Sequence, residues 1–139
     1  MKTNKLVLVT LKLIFADMFL NFMLGFIFIF FYPGTERLIA GGMLFQPVVW
    51  CAIGTGLLLF GVWQTSIIRR RDLKPNELVF AALMAFVPAV LLAIGLFMDS
   101  PLYPFAKILL WAGVAYMLFL GCWYLFLARR LVNQSLENT

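Results

Sequence analysis

Apolar residues fall into four long runs along this chain, each broken off by a few polar, proline or glycine residues. The runs cover residues 6–32, 46–68, 77–98 and 104–130. At about 1.5 Å of rise per residue, roughly 20 apolar residues cross a ~30 Å hydrocarbon core. Every run meets that length, and the first is long enough to tilt. The pattern predicts an all-α fold. It would be a four-helix transmembrane bundle in antiparallel up-down order, a single four-span domain over residues 1–139.

The breaks have their own chemistry. Tyr32 is an interfacial aromatic, and Pro33-Gly34 closes the first span. Residues 35–44 read as a short interfacial piece or loop, with Thr35 as a cap and Gly41-Gly42 as an interruption. Pro47 suits the first turn of the second span, where its missing N–H goes unneeded. Arg69-Arg70-Arg71-Asp72 stops that span, and Asn76 in Lys74-Pro75-Asn76-Glu77 is a candidate cap for the third. Asp99-Ser100-Pro101 with Pro104 forms the last turn. The tail from Leu131 onward is expected to be frayed or briefly helical.

Small residues recur at helical spacing within the spans. Ala81, Ala85, Ala89 and Ala93 repeat at every fourth position, which predicts a face for a neighbouring helix. Gly54, Gly61 and Thr65 share a face of the second span, and Gly113, Met117, Gly121 and Tyr124 one face of the fourth. Pro88 is expected to kink the third span.

One polar stripe interrupts this apolar pattern. Thr10, Asp17, Asn21 and Gly25 lie along one helical face at steps of seven, four and four. A carboxylate near the bilayer centre costs roughly 2.5–3.5 kcal/mol on insertion scales, so Asp17 should face protein or water. It is either a proton, cation or ligand site, or a hydrogen-bonding anchor between helices. Asn21 fits packing better than ligand contact, and Gly25 leaves space beside the pair. Lys12, five positions back and about 140° round the helix, is a poor partner for Asp17 and is expected to snorkel. Gln46 and Gln64 sit near opposite ends of the second span, where interfacial solvation explains both.

Composition agrees with the membrane class. The chain is 64% hydrophobic and only 12% charged, against about 25% charged in soluble domains. The net charge of +5 does not point to nucleic acid, because the basic residues edge the apolar runs. Lys2, Lys5, Lys12, Arg69, Arg70, Arg71, Lys74, Arg129 and Arg130 fall on one side; Arg37 and Lys107 fall on the other. The positive-inside rule then places both termini in the cytoplasm. Lys2 and Lys5 before an apolar run mimic a signal peptide, but without a small-residue cleavage site the run reads as a retained span. Arg69, Arg70 and Arg71 are candidate contacts for anionic lipid headgroups, although a topology signal explains them more simply.

Catalytic chemistry finds little to use. The chain has no histidine, which removes His-based triads, histidine-ligated haem and the usual zinc sites. Cys51 and Cys122 lie in apolar runs and read as packing residues, and no metal or cofactor is expected. The 15 phenylalanines and several methionines offer either a lipid-facing surface or an apolar ligand cavity. In layout alone the chain resembles the small multidrug resistance transporters, with Asp17 standing where that family uses a glutamate. Ala16-Asp17-Met18 and Phe22 do not reproduce that family's pattern, and this chain is longer. The likeness implies only that carboxylate chemistry fits into so small a bundle.

Two functions follow as expectations. The first is a non-enzymatic assembly or accessory module of a membrane complex, self-associating or bound to other subunits. The alternative is a proton-coupled carrier or a small apolar-ligand-binding protein built on Asp17 and Asn21. The expected location is a multi-pass position in a bacterial inner membrane.

Overall fold

The computed structural model describes residues 2–98 and 101–137, and all the regular secondary structure among them is helical. Five helices occur: α1 Lys2–Phe30, α2 Tyr32–Ala40, α3 Pro47–Arg70, α4 Pro75–Phe97 and α5 Pro104–Glu137. Four of them, all but α2, are long and apolar enough to cross a membrane. Backbone contacts divide the chain into two compact units, residues 1–72 and 73–139.

In the first unit, α1 packs on α3, and α2 bridges them in sequence. Pro33 cannot donate to the carbonyl one turn back, so the helix is interrupted at Phe31 (φ −123°, ψ 18°). Pro33-Gly34 therefore breaks the first span as expected, but both residues then belong to the first turn of α2 rather than to a loop. Thr35 does not cap; its Oγ1 donates back to the Phe31 carbonyl at 3.2 Å. Gly41 (φ 71°) ends α2 in the left-handed conformation, its N–H donating to Arg37 O at 3.1 Å. Pro47 opens α3, and Arg71 (φ 53°) closes it in the same left-handed conformation, with its N–H on Ile67 O at 3.0 Å.

The α1–α3 contact is backbone against backbone at its middle. A Cβ on Gly25 would lie 2.8 Å from Gly54 O, and one on Gly54 would lie 2.8 Å from Gly25 O. Further along, the Phe22 ring covers Gly61 at 3.2 Å from the position of an added Cβ. Thr65 Oγ1 donates to Gly61 O at 2.9 Å and also lies 3.2 Å from Met18 Sδ. The expected face of Gly54, Gly61 and Thr65 is therefore the one that meets α1.

In the second unit, α4 packs on α5. Ala89 is fully buried with Leu96 and Val114, and Ala93, Leu110 and Met117 close around them. Ala81 is buried as well. The alanine stripe thus meets a helix, as its spacing predicts. Phe86 lies over Gly121, whose added Cβ would fall 2.7 Å from the ring. Gly113 faces open space instead, while Tyr124 from the same predicted face is buried.

Lys74 rather than Asn76 holds the position before α4, because Pro75 takes the first helical place. The helix continues through Pro88. α5 continues past Arg129 and Arg130 to Glu137, so residues 131–137 take the helical of the two forms expected for the tail. Its 34 residues make a rod of about 51 Å, well beyond a ~30 Å hydrocarbon core. Asp99 and Ser100 of the predicted turn lie outside the described residues.

Candidate functional site

Asp17 and Asn21 stand one turn apart on α1, and Gln64 reaches them from α3. Gln64 Nε2 donates to Asp17 Oδ2 at 2.6 Å. Asn21 Nδ2 donates to Gln64 Oε1 at 3.0 Å and to the same Asp17 oxygen at 3.3 Å. Asp17 Oδ2 accepts from both amides, so both turn their NH2 groups toward it. The carbonyl of Gln64 is then left to receive Asn21, and the three side chains close a ring. Gln64 is 1% exposed and Asn21 8%, while Asp17 is half-buried.

This ring brings Asp17 and Asn21 together as their spacing predicts, but it corrects two expectations. Gln64 is not solvated at the membrane interface; it is buried and bonded to α1. Its position carried a signal, since it follows Gly61 by three residues and so shares the face on which Gly54 and Gly61 meet α1. Gly25 leaves no space for a ligand, because Gly54 and Leu58 fill the place beside it. Thr10, the outer member of the stripe, is fully buried, with its hydroxyl donating to Leu6 O at 2.9 Å on its own helix.

A second carboxylate organises the far end of this unit. Glu36 Oε1 accepts from Leu44 N and Phe45 N at 3.0 Å each and from Trp50 Nε1 at 2.6 Å. One oxygen thus ties α2 to the connecting segment and to the first turn of α3. Trp50 is itself held between Phe28 (ring centroids 5.0 Å apart) and Phe45 (5.6 Å). The Phe45 N–H, the Trp50 indole and the Leu44 N–H hold the Glu36 carboxyl below its ordinary value, against an opposing push from burial. Nothing in the sequence marks Glu36, since its partners lie 8 to 14 positions away, in the connecting segment and the first turn of α3.

Arg69, Arg70 and Arg71 are all exposed at the end of α3. Cys51 and Cys122 are both free thiols. Among the described residues no group of acidic, cysteine or histidine side chains is placed to hold a metal ion. In comparisons with protein-family models, curated proteins and solved structures, the chain matches none.

Proposed function

We propose that this chain is a non-enzymatic membrane module that assembles, with itself or as an accessory subunit of a larger membrane complex. The observation that carries this reading is the bonding of Asp17. Its carboxylate receives N–H groups from its own helix and from α3, which is what a helix-to-helix anchor requires. Its hydrogen bonds join two helices of one unit, and the hollow that opens beside α3 is lined by other residues.

The outer faces support the same reading. No more than 22% of the apolar window of any spanning helix is buried, so long rows such as Leu83, Val87, Val90, Leu91 and Ile94 on α4 are left for lipid or for other helices. In the arrangement we propose, the spans form an antiparallel up-down bundle in a bacterial inner membrane with both termini cytoplasmic. The pairing of Met18 with Thr65, Phe22 with Gly61 and Gly25 with Gly54 supports opposite directions for α1 and α3. The lopsided distribution of lysine and arginine supports the orientation.

The test is the assembly state of the full chain in native-membrane nanodiscs, read by single-molecule photobleaching together with mass spectrometry of co-purifying subunits. The expected result is a defined oligomer or a stoichiometric partner, retained in Asp17→Asn. A monomer without partners, carrying a proton flux that Asp17→Asn abolishes, would overturn the proposal in favour of a carrier.

A further inference from the structure

The segment that connects α2 to α3 is tied down at one atom. Glu36, 5% exposed, accepts three hydrogen bonds at Oε1: from the consecutive amides of Leu44 and Phe45 and from the Trp50 indole. The other backbone bonds of the segment lie at its two ends, where Gly41 N donates to Arg37 O and Val49 N to Gln46 O. Among the described residues, no further hydrogen bond holds residues 42–45. Packing adds little. Met43 is 79% exposed, and a Cβ on Gly42 would meet nothing within 4 Å. Phe45 is itself exposed and keeps an edge-on ring contact to Trp50.

The charge on Glu36 is met by N–H groups rather than by a cation. The end of α1, the connecting segment and the first turn of α3 carry no charged side chain. On α2 its neighbours are Tyr32, one turn back, and Arg37, whose side chain is exposed; Cys51 follows Trp50 on α3. Hydrogen bonds to an ionised acceptor are roughly twice as strong as neutral ones, so one proton on Glu36 weakens all three together. The same bonds, led by the Phe45 N–H and then the Trp50 indole, hold the carboxyl below 4.5 against the push of burial. The closed form therefore persists above that value and is lost as pH falls through the lower folded one. The α1–α3 contact needs nothing from Glu36, since Gly25 meets Gly54 and Gln64 bonds Asp17 further along the pair.

We propose that Glu36 is a proton-operated latch. Ionised, it holds the connecting segment closed on the start of α3; neutral, it lets that segment swing away from Trp50 while α1 stays packed on α3. The opening is local, because the bonds it breaks all end on one side chain. The latch stands apart from the assembly reading, since it uses only α2, the connecting segment and the first turn of α3.

Hydrogen–deuterium exchange of the full-length protein in phosphatidylcholine nanodiscs, read by mass spectrometry, tests the latch. At neutral pH, Glu36→Gln keeps the shape of the side chain without its charge. Leu44 and Phe45 should then exchange roughly tenfold faster or more than in the wild type, while the peptides carrying Gly25 and Gly54 exchange as before. Arg37→Gln should leave Leu44 and Phe45 protected. In the wild type, protection of these two amides, corrected for the intrinsic rate at each pH, should fall below pH 4.5 and return on neutralisation. If Glu36→Gln does not fold, Trp50 decides. In a chain carrying Trp63→Phe, Trp111→Phe and Trp123→Phe, acrylamide quenching of Trp50 should rise reversibly over the same acid range. Unchanged exchange in Glu36→Gln, loss of protection at Gly54 together with Phe45, or a rise in quenching that is absent or irreversible would overturn the proposal.

Discussion

Gly25 and Gly54 bring α1 and α3 together until each backbone meets the other's carbonyl. Neither carbonyl can swing aside as a side chain could, so a methyl group at either position forces the helices apart. Gly25→Ala or Gly54→Ala should destabilise the first unit by about 1–3 kcal/mol in detergent unfolding. Gly56→Ala is the control: its Cβ meets nothing within 4 Å, and it should be neutral or stabilising by up to about 1 kcal/mol. Equal losses at Gly54 and Gly56 would contradict the close approach. Glu36 gives a second prediction. Its carboxyl titrates below the ordinary value of 4.5, so the folded state favours the ionised form. Stability from this group is present above that value and is lost as pH falls through the lower folded value. Melting temperature should therefore drop on acidification below about pH 4.5, and Glu36→Gln should flatten that part of the profile. Of these two residues, Gly54 was legible from its sevenfold spacing to Gly61. Glu36 was not, because long-range bonds to a loop leave no periodic trace.

The alanine stripe of α4 shows what spacing alone can establish. Four alanines at every fourth position place a face, and that face is the one against α5. Ala89 is fully buried against Val114, so Ala89→Leu should overpack the pair and cost about 1–3 kcal/mol. Val90→Leu, one position on and 52% exposed, should be silent in the same denaturation series. A silent Ala89→Leu would mean that the face does not pack. Spacing was less informative about where elements end. From Leu131 the sequence allows either fraying or a brief helix, and α5 takes the second, running on to Glu137. In sequence, residues 35–44 read as a short interfacial piece or loop, because Pro33-Gly34 precedes them and Gly41-Gly42 interrupts them. Proline is tolerated in a first helical turn, and a left-handed glycine is a helix terminator, so the same residues bound a helix.

The chain as a whole carries its membrane character on its surface. Hydropathy revealed all four spans, because a bilayer demands long apolar helices whatever they pack against. The division into two packed units, α1 with α3 and α4 with α5, is less visible; it depends on which small-residue faces choose each other. Orientation is a separate matter of charge. The proposed topology puts nine basic residues on one side and two on the other, and on it externally added maleimide should label a cysteine placed at Thr35 and miss one placed at Ser135. These are read in a background lacking Cys51 and Cys122. The opposite labelling would reverse the topology.

The account turns on Asp17 as an anchor rather than a titrating site, and a double-mutant cycle between Asp17 and Gln64 measures this directly. Unfolding free energies would be taken for the wild type, Asp17→Leu, Gln64→Leu and the double variant in bicelles. Hydrogen bonds across membrane helices couple by about 0.6 kcal/mol on average and about 1.7 at most. The 2.6 Å bond between Gln64 and Asp17 should fall toward the upper end of that range, with Asp17→Asn close to wild type. Strictly additive losses would contradict the anchor, as would an Asp17→Asn variant that keeps its stability but loses a pH-dependent activity present in the wild type.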